Sequence, residues 1–272
     1  MIRIRRWFRG SALALVAGST VALSACSSVS TQQEVEMGRQ YAAEINRELP
    51  ILSDNSVNSY INSLGRSIAQ RGNRQIPYTF YVVNSDQINA FAVPGGHVYL
   101  NRGLIERTRN MSELAGVLAH EIAHVEQRHG VSQMEQMQNA NLGLTLAYVL
   151  LGRQPSGVES AAINVGGSLY FARHSREAED EADAEAVTLL VNSGISPAGL
   201  PTFFQVLIED KQRSPSSVEQ WFSTHPLTQD RIAETQALVN QVPASRLRGL
   251  RTNDNGYNNL KARLRAMPAA PR

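Results

Sequence analysis

The chain carries apolar residues at helical spacing over most of its length and at strand spacing over one short part. Residues 34–49 and 53–72 each have an apolar stripe with the period of an amphipathic helix. Pro50 ends the first helix, and Ser53 or Asp54 can cap the second. We expect both helices only to pack, because neither shows a chemically distinctive set of residues.

Residues 78–100 predict a small β-sheet. The segment 78–83 is rich in aromatic and β-branched residues, and the segments 89–93 and 97–100 flank a Pro94-Gly95-Gly96 turn. Pro94 cannot donate to a ladder, so we expect 89–93 to be an edge strand that can bind an extended peptide, with a simple supporting hairpin as the alternative. The candidate substrate-binding residues are Ala90, Phe91, Ala92 and Val93.

The second half of the chain predicts further helices. Residues 111–128 are apolar on many sides, which indicates deep burial, and helices are also expected within 166–192, from about Pro197, and over 228–242. The segments 152–157 and 214–217 are expected to be loops. The last thirty residues are polar and mostly basic, which favours either one short helix near 260–265 or disorder.

Residues 131–154 contain a ten-residue apolar run at 142–151, together with Met134 and Met137. Ten residues cannot span a bilayer, so we expect this run to pack in the core, with a mobile cover over a cleft as the alternative.

The first 25 residues have the pattern of an export signal. Four arginines precede a short apolar stretch at 11–23, which ends in small residues before Cys26. This pattern resembles a bacterial lipobox, and the resemblance implies cleavage before Cys26 and lipidation of that residue. Ser27 favours the outer membrane by the same resemblance. The alternative is an ordinary signal peptide with an incidental cysteine.

Export changes the charge of the chain. Removing four arginines from 26 basic side chains leaves 22 against 24 acidic ones, a formal net charge of −2 over 247 residues. The basic character therefore belongs to the signal and does not favour nucleic acid as a partner. Cys26 is the only cysteine, so no intrachain disulfide can form.

His120-Glu121-Ile122-Ala123-His124 carries the candidate chemistry. Two histidines four residues apart share one helix face and can meet one metal ion. Glu121 lies beside that pair and can act as general base toward a water at the metal.

A catalytic metal site needs a third protein ligand. His129 lies half a turn from His120 on a continuous helix, which excludes it as a ligand. In the acidic run 177–185, helical phase places Glu179 closest to the buried face and Glu181 far from it. Asp183, on the same side as Glu179, can accept a hydrogen bond from a ligand histidine.

These motifs, with Ser175-Arg176 before Glu179 and His225-Pro226 before Arg231, resemble the M48 family of zinc metallopeptidases over roughly residues 35–240. The resemblance implies one zinc ion per chain, bound by His120, His124 and Glu179, with Glu121 as general base and Asp183 behind a ligand histidine. It also implies that His225 occupies the fourth position at rest or stabilises the oxyanion, and that Arg231 supports either His225 or the substrate carbonyl.

The fold expected from this resemblance is α+β and mostly helical, a zincin-like peptidase with a small β-sheet beside the active-site helix. The expected domains are a signal peptide (1–25), a lipidated tether (26–33), a peptidase domain (34–242) and a basic tail (243–272). The expected function is endopeptidase action on cell-envelope proteins from the periplasmic face of the outer membrane, with protein or peptide substrates. The alternatives are a latent assembly or chaperone-like factor, which could contact outer-membrane assembly machinery, and a structural lipoprotein with a fortuitous motif.

Overall fold

The computed structural model of the protein describes residues 29–139 and 174–271. In the first part, helices α1 (Thr31–Glu48) and α2 (Asn55–Ala69) precede strands β1 (Thr79–Val83), β2 (Ala90–Val93) and β3 (His97–Asn101), which are followed by α3 (Arg102–Arg107), α4 (Met111–Glu126) and α5 (His129–Asn139). The second part contains α6 (Arg176–Asn192), α7 (Gly199–Arg213), α8 (Pro215–Thr224), α9 (Gln229–Gln241), α10 (Ala244–Leu247) and α11 (Asn255–Arg265).

Helix α1 begins three residues before the expected start at residue 34. Ser30 caps it, because its hydroxyl accepts from the Gln33 N–H while the Gln33 side chain accepts from the Ser30 N–H. Because of this reciprocal capping, residues 31–33, the last three of the expected tether, belong to α1. Helix α2 begins after Asp54, whose carboxylate accepts from the Val57 N–H, so Asp54 rather than Ser53 is the cap.

The three described strands form one sheet in the order β1-β3-β2. The β2–β3 hairpin is antiparallel, with Phe91 opposite Tyr99, and β1 pairs with β3 in parallel. The prediction that β2 is an edge strand is confirmed. Local pattern alone did not predict the parallel pairing, which brings together two strands that β2 separates in sequence.

Helix α4 lies at the centre of the molecule, between the sheet, α2, α6 and α7. Asn110 caps it, and every residue from Met111 to Val125 is buried, as its all-round apolar pattern predicts. A Cβ on Gly199, at the start of α7, would stand 2.1 Å from the Ser112 carbonyl oxygen. Glycine at this position therefore permits α7 to meet the first turn of α4 backbone to backbone.

The end of α4 differs from the prediction. The helix stops at Glu126 rather than at residue 128, because Arg128 has a left-handed backbone with φ of 59°. The chain turns there and starts α5 at His129. The Arg128 guanidinium lies 3.1 Å from the buried Glu34 carboxylate and also donates to the Val29 carbonyl, while the Val29 N–H donates to Glu135 at 3.0 Å.

One further expectation about the second half was wrong. Residues 215–217 are not a loop but the first turn of α8, with Pro215 at its start, where a missing N–H costs nothing. The basic tail contains the short helix expected near residues 260–265, and this helix, α11, begins earlier than expected, at Asn255. Tyr257, Leu260 and Leu264 of α11 join the main core, while Arg102 of α3 donates to the Leu264 and Pro268 carbonyls.

Several expectations fall outside the described residues. These are the export signal, Cys26, the apolar run 142–151 and the loop 152–157. Within residues 29–139 and 174–271, every helix is too short or too polar to cross a bilayer.

Candidate metal centre

Four side chains from three parts of the chain converge beneath the sheet. His120 and His124 come from α4, and Glu179 comes from the first turn of α6. His225 is the residue that caps the C-terminal end of α8. All four are buried, and their donor atoms lie within 4.8 Å of one another. Among the described residues, this is the one group of histidine and acidic side chains arranged to hold a metal ion.

The cluster depends on packing between helices. Helix α4 packs most extensively against α6, so the i, i+4 histidines face the α6 stripe that contains Glu179. His225 reaches the cluster because α8 ends there, and the Trp221 ring lies against its imidazole with 4.7 Å between centroids. The helical-phase argument for Glu179 therefore matches its position in the fold.

Asp183 lies one turn after Glu179, also facing inward. One of its oxygens is 2.9 Å from Nδ1 of His120, and burial, which would raise the pKa of Asp183, is outweighed by Arg231 and His120, which lower it. Thr235 of α9 donates to the same carboxylate at 3.0 Å. The expected contact between Asp183 and one of the motif histidines is thus present, and that histidine is His120.

Arg231 lies behind the cluster. Its Nε and Nη2 donate to the two oxygens of Asp183, each at 2.8 Å, and its Nη1 donates to Glu179 and to the Pro226 carbonyl. The guanidinium is buried against the Phe204 ring. These contacts commit Arg231 to the two carboxylates rather than to the mouth of the site.

Arg231 also affects the charge of Glu179. Burial opposes ionisation of this carboxyl, but His225 and Arg231 together hold the pKa of Glu179 well below its usual value. Glu179 is therefore ionised in the fold, as a metal-binding carboxylate must be.

Glu121 stands beside the cluster without belonging to it. The side chain is buried, and its Oε1 has no hydrogen-bond partner and lies 3.5 Å from Nε2 of His225. Burial raises the pKa of Glu121, although His225 and His120 act in the opposite direction. A buried carboxylate oxygen that accepts no hydrogen bond, next to a donor cluster, can accept one from a small polar molecule such as water.

Two histidines that sequence reasoning missed or excluded also lie at the site. Nδ1 of His129 is 2.8 Å from Nδ1 of His124, although His129 is not one of the four clustered donors. The His174 ring stacks on the His124 ring with 3.9 Å between centroids. The helical wheel could not place His129, because the helix ends before it, and no spacing signal connected His174 to the motif.

The edge strand lies beside the same cluster. A small cleft of about 10 Å³ is lined by residues from β2 and the following turn, α4, α5 and His174. Ala92, Val93 and Pro94 are on its sheet side, and His124 is on its helix side. Ala90 and Phe91 point their side chains into the two neighbouring apolar clusters and lie outside the lining of this cleft.

A buried cluster of three imidazoles and a carboxylate, with a buried glutamate beside it and a sheet edge along it, is typical of the metal centre in the class of peptidases built on a His-Glu-x-x-His helix. Comparison with known families agrees with this class. The chain belongs to peptidase family M48, whose model matches residues 53–239.

Individual relatives carry the names of proteases. The chain is 36% identical over 229 residues to the beta-barrel assembly-enhancing protease of Escherichia coli, covering 80% of this chain and 46% of that protein. It is 30% identical over 209 residues to the E. coli metalloprotease LoiP, covering 75% and 79%. A mitochondrial metalloendopeptidase, OMA1 of Schizosaccharomyces pombe, is 26% identical over 183 residues, covering 67% and 53%. The chain spans about half the length of the first of these relatives.

Proposed function

We propose that this protein is a zinc-dependent endopeptidase that cleaves cell-envelope proteins. The observation that carries the proposal is the buried donor cluster of His120, His124, Glu179 and His225, with the unpaired oxygen of Glu121 beside it. Membership of family M48 supports the peptidase assignment independently of this geometry.

The donor geometry fits zinc. Ligand distances of about 2.0–2.1 Å in a tetrahedron place neighbouring donors about 3.4 Å apart. The closest nitrogen–nitrogen and nitrogen–oxygen separations in the cluster run from 3.0 to 3.7 Å, and all four donor atoms lie within 4.8 Å of one another. Imidazole and carboxylate donors are those that zinc prefers, and a bound zinc ion would supply an acidified water and a polarised substrate carbonyl.

Glu121 would move the proton. Its Oε1 accepts a proton from the attacking water and later passes it to the nitrogen of the leaving amine. Because the carboxylate is buried and its pKa is raised, it is a stronger base than an exposed glutamate. The substrate would lie extended along β2, with the backbone at Ala92 and Val93 holding it beside His124.

His225 determines whether the site is open. Its Nδ1 lies 3.0 Å from Glu179 and 3.4 Å from Nε2 of His120, so it completes a set of four protein donors. Four protein ligands close a zinc site, whereas catalysis requires an open position. We therefore propose that the described arrangement is a resting state and that His225 must move before the site can cleave. Once displaced, His225 can donate to the oxygen that becomes negative during attack.

The proposed location is the periplasmic face of the outer membrane. The sequence around Cys26 supports lipid anchoring, and labelling with a radioactive fatty acid would test it. Wild-type protein should become labelled, and Cys26→Ala protein should not. Labelling of the Cys26→Ala variant would refute anchoring at this residue.

The first test of the mechanism is Glu121→Gln. The substitution keeps the size of the side chain and removes the base, so zinc content should stay at one ion per chain while casein cleavage falls by several orders of magnitude. Wild-type protein treated with a chelator should also lose cleavage and regain it with added zinc. Full cleavage by the Glu121→Gln protein would refute the mechanism.

A largely latent assembly factor is the second candidate. The four-donor resting arrangement favours it, as does similarity to a protease named for enhancing β-barrel assembly. Protein composition of the envelope distinguishes the two functions. If assembly of outer-membrane proteins is equally supported by wild-type and Glu121→Gln protein, the chain acts without cleavage, whereas accumulation of specific envelope proteins only with Glu121→Gln identifies substrates.

A further inference from the structure

We propose that His129 is a positioning residue of the metal centre, which fixes the ring orientation and the tautomer of His124 and is itself held by Glu181. The inference rests on the proposed zinc site. In each motif histidine, one ring nitrogen faces away from the cluster. The hydrogen-bond partner of that nitrogen fixes the orientation of the ring, so the inference concerns these outward-facing nitrogens.

The two motif histidines are supported differently. Nδ1 of His120 lies 2.9 Å from the Asp183 carboxylate, so a charged group contacts this ring directly. Nδ1 of His124 meets another imidazole, that of His129, at 2.8 Å. Nε2 of His129 in turn lies 3.2 Å from the Glu181 carboxylate, so His124 also connects to a carboxylate, but through a second ring.

The hydrogen positions along this series of contacts, from His124 through His129 to Glu181, follow from the protonation of a metal-binding imidazole. Nε2 of His124 faces the donor cluster, 3.0 Å from Nε2 of His120 and 3.3 Å from Glu179. A neutral imidazole that binds a metal through Nε2 carries its proton on Nδ1, which must then donate. His129 Nδ1 therefore accepts, and its own proton resides on Nε2 and donates to Glu181. Every group in the series has a role consistent with its neighbours.

The fold holds His129 in place through an unusual backbone. Arg128 has φ of 59°, and a residue other than glycine in this region costs about 1 kcal/mol or more. The buried carboxylate of Glu34, which lies 3.1 Å from Arg128 and also pairs with Arg74 at 2.7 Å, stabilises the turn. As a consequence His129 folds back against His124 instead of continuing α4 away from the site.

A histidine that only filled space would not require this arrangement. His129 is buried to 8% exposure, and its two ring nitrogens contact His124 on one side and the exposed Glu181 on the other. The side chain of Glu181 is 63% exposed, so its contact with His129 is not forced by burial.

The test compares two substitutions at residue 129 in the full chain. Asparagine places an amide oxygen where His129 Nδ1 accepts, whereas leucine fills similar space without an acceptor. We expect His129→Leu to weaken zinc binding by about 10–100-fold and His129→Asn by less than about tenfold, measured by competition with a chromogenic chelator. The visible spectrum of the cobalt(II)-loaded protein should change with leucine and stay close to wild type with asparagine.

Glu181 provides a second measurement that does not depend on the folding of the leucine variant. Glu181→Ala should weaken zinc binding in the wild-type background and have no further effect on His129→Asn, because asparagine does not reach Glu181. Asp180→Ala, an exposed neighbour on α6, is the matched control and should leave zinc binding unchanged.

The results separate this inference from the proposed function. If wild-type protein binds zinc and both Glu181→Ala and a folded His129→Leu keep wild-type affinity, the positioning role is refuted while the peptidase proposal stands. Equal losses for leucine and asparagine would also refute it, because the acceptor would not be the cause. Failure of the wild-type protein to bind zinc would refute the proposed function itself.

Discussion

Removing Arg231 should destabilise the protein far more than removing an exposed arginine on the same pair of helices. Arg231 is buried and joins α9 to α6 through Glu179 and Asp183. Arg231→Met keeps most of the apolar stem and removes the charge. Two buried carboxylates then lose their shared cation.

The magnitude follows from the contacts. Breaking a buried ion pair on one side costs about 3–5 kcal/mol, because the remaining charge stays in a poorly solvated place. For a domain of this size, each kcal/mol lowers Tm by about 2–4 °C, so the metal-free protein should melt about 6–20 °C lower. A bound zinc ion would neutralise Glu179 in part, so we expect a smaller shift in the zinc-loaded protein.

Thermal unfolding of the metal-free and zinc-loaded forms measures both effects. Arg176→Met is the control, because Arg176 pairs with Glu234 of α9 at 2.8 Å but is 66% exposed. An exposed pair contributes about 0–1 kcal/mol, so this variant should melt within a few degrees of wild type. Equal Tm values for Arg231→Met and Arg176→Met would refute the reasoning that burial makes the Arg231 contacts matter.

Three other substitutions test separate parts of the fold. Glu179→Ala should abolish stoichiometric zinc in elemental analysis, and normal zinc content would exclude Glu179 as a ligand. Gly199→Ala should destabilise the protein by about 1–3 kcal/mol in urea, because its Cβ would stand 2.1 Å from the Ser112 carbonyl oxygen; an unchanged midpoint would contradict this close contact. Lys261→Met removes three ammonium–carbonyl contacts at the end of α3 and should cost about 1–3 kcal/mol in the same assay, whereas unchanged stability would show that water replaces them.

The inward positions on α6 were predictable because that helix is regular. It runs unbroken from Arg176 to Asn192, so a rotation of 100° per residue correctly placed Glu179 and Asp183 on the buried face. The same rule failed for His129, because α4 stops at Glu126 and the chain turns at Arg128. Arginine carries no local signal for a left-handed backbone, so its conformation depends on tertiary contacts.

Other misses had signals of different strength. Pro215 at the start of α8 is a common first helical residue, and that signal could have identified the helix. Asp254, which caps α11 through the Tyr257 N–H, could likewise have indicated where the helix in the tail begins. By contrast, the stacking of His174 on His124 depends on how distant segments pack, and a single sequence gives no measure of that distance.

The position of Val29, the first described residue, has a consequence for access to the site. Val29 is fixed to α5 and Arg128 at the rim of the cleft that contains His124. With the proposed lipid on Cys26, only Ser27 and Ser28 intervene, and three residue steps span at most about 11 Å. Val29, at the rim of the cleft, would then lie within that distance of the lipidated residue, so the anchor would select substrates by their distance from the membrane surface, before any side chain is recognised.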